Sequence, residues 1–159
     1  MSDKYLDYET ALKKLQKYCA YQDRCHSEVR SKLIELEVYG DRLEQIIADL
    51  ISEKFLDEQR FANSFAGGKF RIKKWGRTKI RLELKMRKVS DYCIKKALLQ
   101  EIPDEDYLDT LAQVLKKKAS LTQEPNAFKR NSKIAKYAIS KGFESHLVWE
   151  LLKGNTDFE

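Results

Sequence analysis

Ten cations crowd one short stretch of this chain. Lys69, Arg71, Lys73, Lys74, Arg77, Lys79, Arg81, Lys85, Arg87 and Lys88 face the single acid Glu83, a net +9 between positions 69 and 88, whereas the whole 159-residue chain carries +6. The chemistry open to ammonium and guanidinium groups at this density is neutralisation of anions, either nucleic-acid phosphates or the carboxylates of an acidic protein groove. No compensating acids relieve the self-repulsion, so the density costs the fold unless such a partner meets it. Lys69, Arg71, Lys73, Lys74, Arg77, Lys79, Arg81 and Lys85 are therefore the candidate binding residues, with Lys73, Lys74 and Arg77 taken as exposed. Few side chains here suit base edges, so direct DNA binding is expected to be weak, indifferent to sequence and salt-dependent.

Aromatic residues interleave with the cations. Phe61 and Phe65, at i and i+4 with Ala62, belong to an apolar helix face. Phe70 and Trp75 lie off that pattern, open either to packing or to stacking on bases. The Gly67-Gly68 pair predicts a kink or a close backbone approach in the helix that precedes the basic run. A second basic group, Lys116 to Lys118 with Lys129, Arg130, Lys133 and Lys136, reads at Lys116 to Lys118 as a solvated helix face. Between positions 35 and 58 the balance reverses, with Glu35, Glu37, Asp41, Glu44, Asp49, Glu53, Asp57 and Glu58 against Arg42 and Lys54.

Other chemistry is poorly provided for. Cys19, Cys25 and Cys93 are odd in number and lack paired CxxC spacing, which predicts reduced packing thiols. A metal or redox site would have only His26 and His146 as imidazoles. Neither GxGxxG nor GxxxxGK[ST] occurs, and no Ser/His/Asp or Cys/His arrangement is present. A nuclease holding Mg²⁺ on Glu35, Glu37 and Asp41 is the best enzyme the residues allow. The expectation is a non-enzyme without metal or cofactor.

The elements that position the basic run are legible in one apolar spacing that occurs three times. Val29, Leu33, Val38, Leu43 and Ile47 step by 4, 5, 5 and 4, as do Ile80, Leu84, Val89, Ile94 and Leu98, and Ile134, Ala138, Phe143, Val148 and Leu152. Steps of 4 stay on one helix face and the steps of 5 straddle a break, so each set reads helix, turn, helix. The breaks are placed at Tyr39-Gly40-Asp41, Val89-Ser90-Asp91 and Lys141-Gly142-Phe143. A further helix precedes each pair, with faces Ala11, Leu12, Leu15 and Tyr18; Phe61, Ala62 and Phe65; and Leu108, Leu111, Ala112 and Leu115. Asp57, Ser90 and Pro103-Asp104 signal helix starts. The fold predicted is all-α, three tandem three-helix repeats in an elongated, curved array: 8–56, a basic 57–102 and 103–153, with flexible termini at 1–7 and 154–159. No apolar run approaches membrane-spanning length and the first residues are charged, so a cytoplasmic, membrane-free monomer is expected.

Phe55-Leu56-Asp57-Glu58-Gln59-Arg60-Phe61-Ala62 resembles the (Y/F)LDDxRFA signature of the bacterial RecX regulatory proteins. Trp75-Gly76-Arg77-Thr78-Lys79-Ile80 with Leu84 and Val89-Ser90 resembles that family's basic stretch, and Ser27 to Leu33 its S-x-(E)LRxKL element. The resemblance spans roughly residues 8–153. It implies three tandem three-helix repeats and a modulator of the RecA recombinase that binds RecA and its filament on single-stranded DNA and restrains strand exchange. Many relatives carry Lys-Gly where this chain has Arg87-Lys88, which leaves the turn there open to a different geometry. The LDExRFA residues read as structural: Asp57 as a helix cap, Arg60 as partner of a nearby acid. Two competing functions remain. One is a sequence-specific helix-turn-helix factor, although Asp91 to Gln100 lacks a cluster for base edges. The other is a sequence-nonspecific DNA-binding protein acting without RecA.

Overall fold

The computed structural model describes residues 5–154. Among them the chain forms nine α-helices, one π-helical turn and no strand: α1 (Tyr8–Tyr21), α2 (His26–Glu35), α3 (Gly40–Ser52), α4 (Glu58–Gly68), the π turn (Lys69–Lys73), α5 (Arg77–Met86), α6 (Asp91–Glu101), α7 (Asp104–Leu121), α8 (Ala127–Ser140) and α9 (Ser145–Gly154). Within the first repeat α1, α2 and α3 pack on one another, and within the third α7, α8 and α9 do the same. No helix among the described residues is long and apolar enough to cross a membrane. Residues 1–4 and 155–159, most of the expected flexible termini, lie outside the described residues. Asp7 caps α1 by accepting from the Thr10 N–H at 2.7 Å, and Gly154 closes α9.

Every residue of the repeated 4-5-5-4 spacing is buried, and the first step of 5 has a hydrogen-bonded cause. The Val38 N–H donates to the Leu33 carbonyl at 2.8 Å, Val89 to Leu84 at 3.1 Å and Phe143 to Ala138 at 3.2 Å. In each case the residue just before is left-handed, Glu37 (φ 62), Lys88 (φ 62) and Gly142 (φ 103), and its N–H turns back to the carbonyl three residues earlier. This is the left-handed helix C-cap, in which the two residues five apart also pack together. The repeating unit is thus a cap that forces a turn. The pivots are Glu37, Lys88 and Gly142 rather than the predicted breaks at Gly40 and Ser90, which open α3 and α6 instead. Arg87-Lys88 keeps the turn geometry of its counterparts, with a lysine at the position that favours glycine.

The helix starts follow local capping chemistry. Asp57 accepts from the Arg60 N–H at 2.9 Å and Ser90 Oγ from the Cys93 N–H at 3.2 Å, both as expected. Asn126 caps α8 in the same way, accepting from Lys129 N–H at 2.9 Å. At α7 the cap is Pro103, which offers no side-chain acceptor, and the Asp104 carboxylate is engaged elsewhere. The expected face of α7 is also shifted. Leu108 is exposed, and the buried line is Tyr107, Leu111, Val114, Leu115 and Ala119, because a tyrosine rather than a leucine anchors the first turn.

The chain divides into two compact units, Met1–Ser64 with Leu84–Lys96, and Phe65–Glu83 with Ala97–Glu159. In the first, Leu15, Val29, Leu33, Ile46, Leu50 and Leu56 are fully buried in one apolar cluster. Cys19 and Cys25 are buried free thiols; burial pushes the Cys19 thiol up to about 11 and raises Cys25 as well, so neither is a ready thiolate. Arg60 of the LDExRFA stretch staples this unit. Its guanidinium donates to Asp23 at 2.8 Å and to the carbonyls of Lys54 and Phe55, just past α3, at 3.3 and 3.1 Å. Asp23 also accepts from Ser64 Oγ at 2.9 Å. Arg60→Ala is expected to lower stability by about 1–2 kcal/mol, a charge-assisted network discounted for partial exposure. Thermal melting followed by circular dichroism checks this, and an unchanged melt would remove the structural role.

Candidate polyanion interface

The basic run begins where α4 loses its regular pitch. After Gly68 the chain makes one π turn, Lys69–Lys73, closed by Lys74 in the left-handed conformation (φ 56), and the N–H groups of both Lys74 and Trp75 return to the Lys69 carbonyl. A π turn inserts an extra residue and re-aims the side chains around it. Phe70 therefore turns inward, buried at 6.0 Å from the Tyr107 ring, while Arg71, Ile72, Lys73 and Lys74 are exposed. The glycine pair holds a close approach at one of its members. A Cβ on Gly67 would lie 2.5 Å from Arg71 Nη2 and 2.6 Å from Glu101 Oε1, so the Arg71–Glu101 pair (3.5 Å) lies across it.

The stretch Trp75 to Lys79 is pinned by backbone. The Gly76 N–H donates to the Lys141 carbonyl at 2.8 Å and the Thr78 N–H to the Gly142 carbonyl at 3.0 Å. A Cβ on Gly76 would stand 2.3 Å from the Gly142 carbonyl group, and one on Gly142 would stand 2.4 Å from Lys79 Cβ. Beside this crossing sits Tyr107, whose hydroxyl donates to the Glu144 carboxylate and accepts from the Arg77 N–H at 2.9 Å. Its ring is 5.2 Å from Phe143. Burial, and then the bond to Glu144, hold its phenol well above the ordinary tyrosine range.

The eight candidate cations fall into three groups. Lys73, Lys74 and Arg81 are exposed and have no ion-pair partner among the described residues. Lys69 and Lys79 place their ammonium groups 5.0 and 4.4 Å from the Trp75 ring centre, which fixes both charges on one aromatic platform. Trp75 in turn meets Phe65 edge-on at 6.4 Å. Arg71 pairs with Glu101, Lys85 with Asp91 at 3.6 Å, and Arg77 with Asp104 at 2.6 Å. The expectation that Arg77 is exposed is corrected. Its guanidinium also donates to the Ile102 carbonyl at 3.0 Å and stacks 4.0 Å over the Tyr107 ring, because the Gly76 crossing delivers it onto α7.

Two sequence expectations have further structural answers. Phe70 packs, and Trp75 is half-buried among its cations. Glu35, Glu37 and Asp41 are not gathered into a cation site; among the described residues no group of three His, Cys, Asp or Glu could hold a metal ion. The solvated-face reading of Lys116 to Lys118 does not foresee that two of them share a groove with lysines from elsewhere in the chain. Lys74 meets Lys117, Lys118, Lys141 and Tyr137 around a groove of about 370 Å³. Lys74 and Lys141 lie far apart in sequence and are brought together by the Gly76 crossing and the bond from Lys141 to the Lys73 carbonyl, so no local pattern announces the group.

An all-α chain of capped three-helix repeats with cations presented on a π turn is the class these features define. Family comparison agrees: residues 57–98 match the second three-helix domain of RecX and residues 104–152 its third. The chain belongs to the RecX family. "Regulatory protein RecX" of Prosthecochloris aestuarii is 27% identical over 156 residues, covering 96% of each chain. The protein of the same name from Clostridium acetobutylicum is 28% identical over 133 residues, 82% of this chain and 61% of the relative. The Bacillus cytotoxicus protein is 25% identical over 131 residues. The chain spans about half the length of that last relative, 48%. The crystal structure of RecX from Lactobacillus salivarius shares the fold, with a TM-score of 0.84, 21% identity, and 96% and 97% of the two chains covered. A second RecX crystal structure gives a TM-score of 0.83 at 24% identity, covering 93% of this chain and 73% of the other.

Proposed function

We propose that this chain binds the RecA recombinase and its filament on single-stranded DNA and restrains strand exchange. Membership of the RecX family supports a regulatory role, and the observation that carries the polyanion reading is the set of exposed cations Lys73, Lys74 and Arg81, none in an ion pair among the described residues, together with Lys69 and Lys79 on the Trp75 platform. A nucleoprotein filament offers both phosphates and protein carboxylates to such a surface, and neither kind of partner reads base sequence. Tandem repeats supply several weak attachments, which act together at high effective concentration on an assembled filament.

The reading predicts that the purified chain retains RecA from a bacterial lysate and binds the assembled filament at least tenfold more tightly than free RecA or naked DNA. Affinities for the three, measured side by side by surface plasmon resonance, check it. Equal affinity for filament and free RecA would leave sequestration of RecA as the better account. Absence of RecA retention with DNA binding intact would leave a sequence-nonspecific DNA-binding protein, the second reading that the charge pattern favours.

A further inference from the structure

We infer that the groove between α7 and α8 is a second anion site and that it takes single-stranded nucleic acid, with phosphates on Lys74, Lys117, Lys118 and Lys141 and a base against Tyr137. The inference deepens the polyanion reading above and rests on it, extending the site from Lys74 of the basic run to three lysines beyond it and adding a stacking surface. The groove encloses about 370 Å³, and all its charged lining residues are lysines. None of the four has an ion-pair partner among the described residues. Lys141 is held in place by donating to the Lys73 carbonyl at 3.0 Å. Like charges gathered without acids are costly unless an anion joins them.

The walls argue for a nucleotide rather than a carboxylate-bearing peptide. Val114, Leu121 and Tyr137 line the same groove, with Leu121 69% and Tyr137 39% exposed. A base has a use for an apolar and aromatic wall that a carboxylate lacks. Lys118 and Lys141 stand 4.8 and 5.8 Å from the Tyr137 ring centre, so phosphates bound there would hang their bases within reach of the ring. Lysine also presents a point charge suited to phosphate, whereas recognition of planar carboxylates favours the arginine fork. In the neighbouring hollow Asp106 and Asp109 balance Arg71 and Lys74, so the uncompensated positive charge lies toward Lys117, Lys118 and Lys141.

The test uses the full chain, a fluorescein-labelled oligo(dT), no RecA, and anisotropy across a salt series. Lys117→Glu with Lys118→Glu should weaken binding at least tenfold and lower the slope of log affinity against log salt by about 1.4, roughly 0.7 for each phosphate no longer neutralised. Tyr137→Ala should weaken binding roughly fivefold or more with the slope unchanged. Lys13→Glu with Lys17→Glu, the same charge change on exposed positions of α1, should have a much smaller effect. Circular dichroism checks that each variant stays helical. The inference is overturned if the α1 variant loses as much affinity as the groove variant, if the groove variant binds oligo(dT) like the parent, or if the groove binds poly-glutamate more tightly than oligo(dT). With no RecA in the cuvette, failure here leaves recombinase binding untouched, and failure of RecA retention leaves the groove untouched.

Discussion

Replacing Gly76 by alanine is expected to destabilise Phe65–Glu83 with Ala97–Glu159 by about 3–5 kcal/mol, the range of severe backbone and packing defects. The added Cβ would meet the carbonyl group of Gly142 at 2.3 Å and the Phe143 nitrogen at 2.4 Å. Both are backbone atoms of a turn already fixed by the left-handed Gly142 and the bond from Phe143 to Ala138, so no side chain can swing aside to make room. Relief requires the two segments to part, which breaks the bonds from Gly76 to Lys141 and from Thr78 to Gly142 and withdraws Arg77 from Tyr107 and Asp104. Gly68→Ala is the internal control. Nothing lies within 4 Å of its added Cβ and its backbone is helical (φ −64, ψ −46), so alanine there should be neutral or stabilising by up to ~1 kcal/mol. Differential scanning calorimetry separates the two: a drop of roughly 10 °C for Gly76→Ala and none for Gly68→Ala is expected. Equal melts would mean that the crossing does not exist.

The contrast between these glycines marks where sequence reasoning succeeds and where it stops. The apolar repeat is fully legible because a left-handed cap imposes a fixed separation between two buried residues, and that separation survives in the spacing whatever residue makes the turn. The turn residue is not legible. Glu37 and Lys88 occupy positions that favour glycine and carry no turn signature, so Gly40 and Ser90 nearby look like the breaks. Side chains whose role depends on a distant partner are misjudged in the same way. Arg77 looks like one more surface cation because it stands in a basic run, and Tyr107 is passed over for Leu108 because the hydroxyl that matters pairs with Glu144, 37 positions away. Of the candidate site, the density of positive charge can be read directly. Its partition into free cations, ion-paired cations and a Trp75 platform cannot, since each assignment is set by packing between segments.

That partition yields the second large effect. Lys73→Glu with Arg81→Glu is expected to weaken binding to the RecA filament by roughly 30- to 140-fold, while helicity and melting stay within error of the parent. Each reversal removes a favourable exposed charge and adds repulsion, on the order of 1–1.5 kcal/mol apiece, and each 1.4 kcal/mol is tenfold in affinity. Neither residue has an ion-pair partner among the described residues, and the bond that Lys73 receives from Lys141 is to its backbone carbonyl. Arg77→Glu should behave differently: it places a carboxylate beside Asp104, orphans the Ile102 carbonyl and strips the Tyr107 ring, so a loss of about 2–4 kcal/mol of stability should accompany any loss of binding. Neither Lys73 nor Arg81 lines the α7–α8 groove, so oligo(dT) affinity in that double variant should fall far less than filament affinity. Strand exchange by RecA in the presence of each variant, alongside its melting curve, checks the assignment. A Lys73/Arg81 variant that restrains strand exchange as well as the parent would move the RecA-binding surface away from the basic run, and one that unfolds would make those cations part of the scaffold.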